Sequence, residues 1–205
     1  YRYDTTPVFT ITGGGRETVA VNAYDATNTP ETLPVVQNAD GWDVDKTAHA
    51  TNNHITIAKW PGELGNSLKV SMCGANDSDF TNWAYASLFD GAPGTSSFAT
   101  ARGASNDEVH VVIIDEDGEF SGVPNRVLET FSYLSLASNA KTTQGTGNYA
   151  PDVIARSSNY IWIAAMPAAF GSNAGTATAN GKNYAGSGVL THTVSLVNGS
   201  NSGSL

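Results

Sequence analysis

Glu108–Ile114 reads EVHVVII, an almost unbroken run of β-branched residues interrupted only by His110. A strand with one wet face alternates apolar and polar residues, whereas a strand covered on both faces is apolar nearly throughout. The run therefore predicts a central strand with material packed on each side. The polar turn DEDGEF follows at Asp115–Phe120, and then VLETFSYLSL at Val127–Leu136. Strict alternation there puts Val127, Glu129, Phe131 and Tyr133 on one face and the leucines on the other, but helical spacing fits almost as well. Aromatic content and the preceding turn favour a second strand.

Working outward, His54–Ala58 reads as a strand, broken at Trp60–Pro61–Gly62, and SLKVSM at Ser67–Met72 reads as another. From Gly74 to Asn106 the chain is rich in Gly, Ser, Ala and Asn, with Phe80, Trp83, Tyr85, Phe89 and Phe98 scattered through it. It reads as a long loop with hydrophobic anchors, and loops of that length usually have a task or a partner. Downstream, Tyr149–Ser158 (YAPDVIARSS) predicts a short helix, with Pro151 in its first turn and Asp152 near its positive end. Tyr160–Met166 predicts a buried strand, a glycine-rich stretch runs to Gly188, and GVLTHTVSL is a last strand. At the start, PVFTIT and ETVAVNAY flank Gly13–Gly15 as a hairpin would. Thr27–Pro34 is loop-like, and a short helix is expected at Val44–Ala50. The fold class expected is mixed α/β, predominantly β, with one or two short helices.

Composition narrows the function. The 205 residues are 40% hydrophobic and 14% charged, with 21 glycines and a net charge of −9. Phosphate neutralisation needs clustered Lys and Arg, which the chain lacks, so no nucleic-acid partner is expected. An anionic membrane surface would be repelled, and no apolar run approaches the roughly 20 residues of a membrane-spanning helix. The single cysteine, Cys73, ends a strand-like run and reads as a buried thiol. The absence of an internal disulfide fits folding in a reducing cytoplasm.

The sequence carries few residues in patterns that chemistry requires. In Asp115, Glu116, Asp117 and Glu119, counting from Asp115 puts Gly118 fourth and Arg126 twelfth, which fails the calcium-loop pattern. Asp115 and Asp117 would alternate onto one face as a carboxylate pair, yet Asp-Gly between strands is first a turn signal. On that reading, Asn at both positions should leave the fold largely intact. His49, His54, His110 and His192 are dispersed without ligand spacing. TGGGRET lacks the Lys-Ser/Thr of a phosphate loop, and there is no G-x-S-x-G. No catalytic, cofactor-binding or metal residue is expected, and no enzyme.

One segment is more distinctive: AKWPGELGNSLKVSM, Ala58–Met72. Pro61 fixes φ, Gly62 and Gly65 permit tight bends, and Glu63 and Asn66 can cap backbone groups. It resembles the PGxxGN-L-V signature of contractile-tail sheath proteins of bacteriophages. Asn106–Ala164 is similar to the same family's strand, acidic turn, V-L-E-x-[FY], Y-x-x-D-V-I and S-x-Y-[IV] segments, in that order. SGVLTHTVSLVNGSNSG, starting at Ser187, resembles its closing strand and glycine-rich loop. The likeness covers roughly residues 54–205.

The resemblance implies an internal piece of a sheath subunit: residues 51–205 as the sheath-core domain without its C-terminal domain, and residues 1–50 as part of an inserted, protruding β-rich domain. It further implies hexameric rings stacked helically around a tail tube protein, with baseplate and tail terminator proteins as further partners. Location would be the virion, after assembly in the host cytoplasm. A sheath from a related injection system shares that core. The competing expectation is a secreted carbohydrate-binding or glycan-hydrolysing β protein, resting on the Trp/Tyr content, the Asn/Gly/Ser loops and the acidic cluster, with sugar binding lost in Trp42→Ala or Trp83→Ala as its sign.

Overall fold

A computed structural model describes residues 19–24, 54–75, 77–165, 173–175, 182–184, 191–197 and 199. The expected PVFTIT strand and the Val44–Ala50 helix lie outside them. The chain is mixed α/β and dominated by antiparallel strands, as its pattern predicts. In chain order come β1 (Val19–Tyr24), β2 (His54–Pro61), a 3-10 turn (Glu63–Ser67), β3 (Leu68–Gly74) and α1 (Asp77–Asn82). Then follow a second 3-10 turn (Ala86–Leu88), α2 (Ser97–Thr100), β4 (Glu108–Asp115) and β5 (Arg126–Ser135). α3 (Ala150–Ser157), β6 (Ile161–Ala165) and β7 (Thr191–Ser195) complete the series. One sheet has the order β1-β2-β6 and the other β5-β4-β3-β7.

β4 is central in the larger sheet and covered on both faces, which accounts for its nearly unbroken apolar run. Val109, Val111 and Ile113 join Leu68, Val70 and Met72 of β3 in the main core. Ala58, Ile161 and Ile163 of the smaller sheet, with Ala150 and Ile154 of α3, pack into that same core. The opposite face carries Val112 and Ile114 with Cys73, covered by Trp83 and flanked by Phe80, Tyr85 and Phe89. The expected long loop is thus partly ordered into short helical turns, and its aromatics roof the sheet. Phe98 packs on the other side, against the main core.

β3 and β4 pair in unbroken register from Leu68↔Asp115 to Gly74↔Val109. β4 and β5 slip twice, between Val109 and Val111 and between Ile113 and Ile114, and each time β5 carries the extra residue. Two β-bulges follow. They turn Leu128, Phe131 and Leu134 all toward the main core, while Val127 joins the aromatic side. Phe131 therefore sits with the leucines and not opposite them, a departure from strict alternation.

The Trp60–Pro61–Gly62 break falls where β2 ends. Gly62 has φ +80° and ψ −166°, backbone that a Cβ would oppose. Asn66 acts at longer range than the turn: its amide donates to the Gly199 carbonyl at 2.9 Å and accepts from the Gly199 N–H at 2.7 Å. These two bonds tie the turn to the segment after β7.

Candidate functional site: the acidic turn and a buried histidine

Asp115 is the last residue of β4 and is completely buried. Its Oδ1 accepts from the Ser67 hydroxyl at 2.7 Å and the Gly118 N–H at 3.1 Å. Its Oδ2 accepts from the N–H groups of Phe120 and Ser121, at 3.1 and 2.7 Å, and from the Ser121 hydroxyl at 2.7 Å. Burial alone would raise its pKa, but these donors outweigh that effect and hold it below the usual carboxylate value. The side chain is fully committed to shaping residues 116–125, which link β4 to β5. Asp117, by contrast, is exposed. The two carboxyls do not converge as an acid–base pair.

The rest of the turn is likewise occupied. Ser67 Oγ, besides donating to Asp115, accepts from the N–H groups of Asp117 and Glu119 at 3.2 and 3.3 Å. Glu116 pairs with Lys69 at 2.6 Å. Burial again pushes the Glu116 pKa up, and its bonds to Lys69 and Ser195 bring it below its ordinary value. Gly118 has φ +87°, and a Cβ there would come within 2.8 Å of the Pro124 nitrogen. The Asp-Gly pair does bend the chain, within a longer loop closed by Asn125 N–H to the Glu116 carbonyl at 3.1 Å.

A second buried carboxylate, Asp107, holds the entry to β4. It accepts from the Ser96 N–H and hydroxyl, both at 2.8 Å, and from the Ser135 hydroxyl. Nearby, Lys59 closes the C-terminal end of α3, donating to the carbonyls of Ala155 at 2.9 Å and Ser158 at 2.6 Å. Burial lowers its pKa, with Glu129 acting in the other direction. Glu129 Oε1 receives the N–H and side-chain amide of Asn159, at 2.8 and 3.1 Å.

His110 is the histidine that sequence spacing gave no reason to single out. It is fully buried among the aromatics, stacked on Phe89 at 4.2 Å and edge-on to Tyr133 at 4.6 Å. Its Nδ1 lies 3.0 Å from the Tyr133 N–H and its Nε2 2.9 Å from the Gly91 carbonyl. Burial lowers its pKa, with the Gly91 bond pulling the other way. Trp83 is buried alongside, its indole N–H donating to Ser71 Oγ at 2.7 Å, which bonds Thr193 Oγ1 at 2.6 Å.

His54 and His192 fall on β2 and β7, and His49 and Trp42 lie outside the described residues. Among the described residues no group of three or more His, Cys, Asp or Glu is placed to hold a metal ion. Cys73 is buried, its thiol 3.7 Å from the Gly74 carbonyl. No helix among the described residues is long and apolar enough to cross a membrane. Neither the protein-family models nor the curated proteins compared with the chain match it.

The serines that satisfy Asp115 were missed by sequence reasoning, although a signal exists. An Asp closing a buried strand, with Gly three residues on and Ser six on, can fold the following backbone around its own carboxylate.

Proposed function

We propose that this chain is a structural subunit of a contractile-tail sheath, working by assembly with copies of itself and not by catalysis. The observation that carries this reading is the coincidence of three resembling sequence blocks with core elements in chain order. Ala58–Met72 spans the end of β2, the Gly62 bend and most of β3. Asn106–Ala164 spans β4, the acidic turn, β5, α3 and most of β6, and the last block contains β7. A subunit that stores energy in its packing against neighbours needs a rigid body, and moves as one when interfaces change. The clamps at Asp107, Asp115 and Asn66 supply that kind of rigidity. Residues that would otherwise suggest chemistry are used in the same way.

On this reading the subunits form hexameric rings stacked around a tail tube protein, between baseplate and tail terminator proteins, within the virion. Trp83 does not support the glycan-binding alternative, because it is buried and its N–H is engaged by Ser71. Electron microscopy of the full-length gene product, alone and with its tube protein, is the test. Helical arrays of ring-shaped layers are expected. A monomer that forms no array and binds glycans saturably, with binding lost in Trp42→Ala, would overturn the proposal.

A further inference from the structure

His110 joins two parts of the molecule that the backbone ladder does not join. At the first slip of the β4–β5 register, β5 carries one residue too many between Leu134 and Phe131. Tyr133, in that bulge, has φ +53°, in the left-handed region. A bulge takes an N–H out of the ladder, and a buried N–H needs another acceptor. The Tyr133 N–H finds it in His110 Nδ1 at 3.0 Å.

A backbone amide only donates, so Nδ1 is the unprotonated nitrogen. Nε2 therefore carries the hydrogen and gives it to the Gly91 carbonyl at 2.9 Å. The Tyr133 hydroxyl donates to the same carbonyl at 3.3 Å. The neutral ring thus pins the end of the roofing segment, residues 77–94, to the bulge.

A proton on Nδ1 makes both ring nitrogens donors, and Nδ1–H then confronts the Tyr133 N–H. The new cation would also be dry, since the ring is fully buried. Among the described side chains no carboxylate is bonded to it. In the roof, Asp90 is exposed and Tyr85 lies edge-on to Trp83 at 5.7 Å. On β4, Glu108 accepts from the Gly94 N–H at 2.9 Å. On β3, Cys73 is the register partner of His110, and Lys69 pairs with Glu116 toward the other end. On β5, Tyr133 is the titratable neighbour. The face of Phe89 attracts a cation, but it neither accepts an N–H nor removes the donor–donor contact.

We infer that His110 is a proton-operated latch, whose protonation frees residues 77–94 from the β3–β4 face while the core between the two sheets stays folded. This inference does not rest on the sheath reading. Burial depresses the ring's pKa, so the closed state is fully favoured above the ordinary histidine value and lost as pH falls through the lowered one.

Hydrogen exchange on the full chain between about pH 7.5 and about pH 4.5, corrected for intrinsic rates, tests the latch alongside nitrogen NMR of the His110 ring. Protection in residues 77–94 is expected to drop at least about ten-fold across the pH range in which His110 titrates, while the core side of β3 and β4 stays protected. His110→Phe should lack the step. Flat protection across that titration, simultaneous loss in every element, or an unchanged step in His110→Phe would each overturn the latch. Should His110→Phe fail to fold, the wild-type ring still decides: a charged ring or an Nδ1–H tautomer at neutral pH contradicts it.

Discussion

Asp115 is the residue whose role changed most between pattern and packing. As one of four acidic residues in a turn, it suggested surface charge that Asn could replace, with Asp117 its equal. The fold separates the two. Asp115→Asn keeps the shape but turns an acceptor oxygen into a donor facing N–H groups. Loss of charge-assisted hydrogen bonds at a buried site should cost about 3 kcal/mol in urea unfolding. Asp117→Asn, at an exposed position, should shift stability by less than about 0.5 kcal/mol. Equal effects would contradict the separation. Gly118→Ala tests the same turn from its backbone. With φ +87° and the Pro124 nitrogen 2.8 Å from the added carbon, it should cost about 2 kcal/mol or more. The sequence made Gly118 legible as a turn residue, because glycine is what left-handed backbone calls for. It did not reveal the burial of Asp115, since the donors that permit it come partly from Ser67, 48 positions upstream.

β5 shows how an element can be right in kind while its faces are misread. Alternation favours a strand at Val127–Leu136, yet helical spacing fits almost as well, and the two bulges explain why. By inserting a residue twice, they bring Leu128, Phe131 and Leu134 to one face at three-residue spacing, the spacing a helix would give. No local signal marks a bulge when it depends on a partner strand and a ring on that strand. The run at Glu108–Ile114 was easier, because cover on both faces leaves its trace in the run itself. The aromatics of residues 80–89 were legible as anchors, but not what they covered. Trp83→Phe retains most of the ring and removes the N–H to Ser71. It should cost about 1–2 kcal/mol, read from the urea midpoint; a larger loss would mean that the indole's shape, not its bond, holds the roof.

For the whole molecule, the carboxylates and the histidine fix the acid side of the stability profile. Asp115 and Glu116 have pKa values below their ordinary 3.8 and 4.5. Their stabilisation is complete above those values and disappears as pH falls through the lowered ones. Glu108, raised mainly by burial, works oppositely, contributing fully only below 4.5. His110 adds an earlier loss below 6.5. On the alkaline side, burial pushes Tyr149 and Tyr184 up to about 12 from 10. Their stabilisation holds below 10 and fades as pH rises toward 12. Lys59, lowered by burial, acts the other way, with stability rising as pH climbs through its lowered value toward 10.5. Urea midpoints should therefore not fall between pH 6.5 and 10; a steady fall with pH through that range would contradict these assignments.

The spare residues in β5 also determine where this chain can change length. An edge strand ordinarily tolerates losing a residue, because nothing beyond it must stay in step. Here, removing Ser132 would restore even spacing with Phe131 still on the core and Tyr133 still on the roof, but it would abolish the left-handed bulge that turns the Tyr133 N–H to His110. The Thr142–Gly147 turn is closed by Thr142–Thr146 and Lys141–Gly147 pairing and held to α3 at the Gly147 carbonyl by Arg156 at 2.6 Å, but Gln144 at its exposed tip has no such constraint. Deleting Ser132 should lower the urea midpoint through loss of that bond, while one residue inserted after Gln144 should be nearly silent. Deletions among homologous chains, if the bulge sets the limit, will gather in the turn and spare the strand.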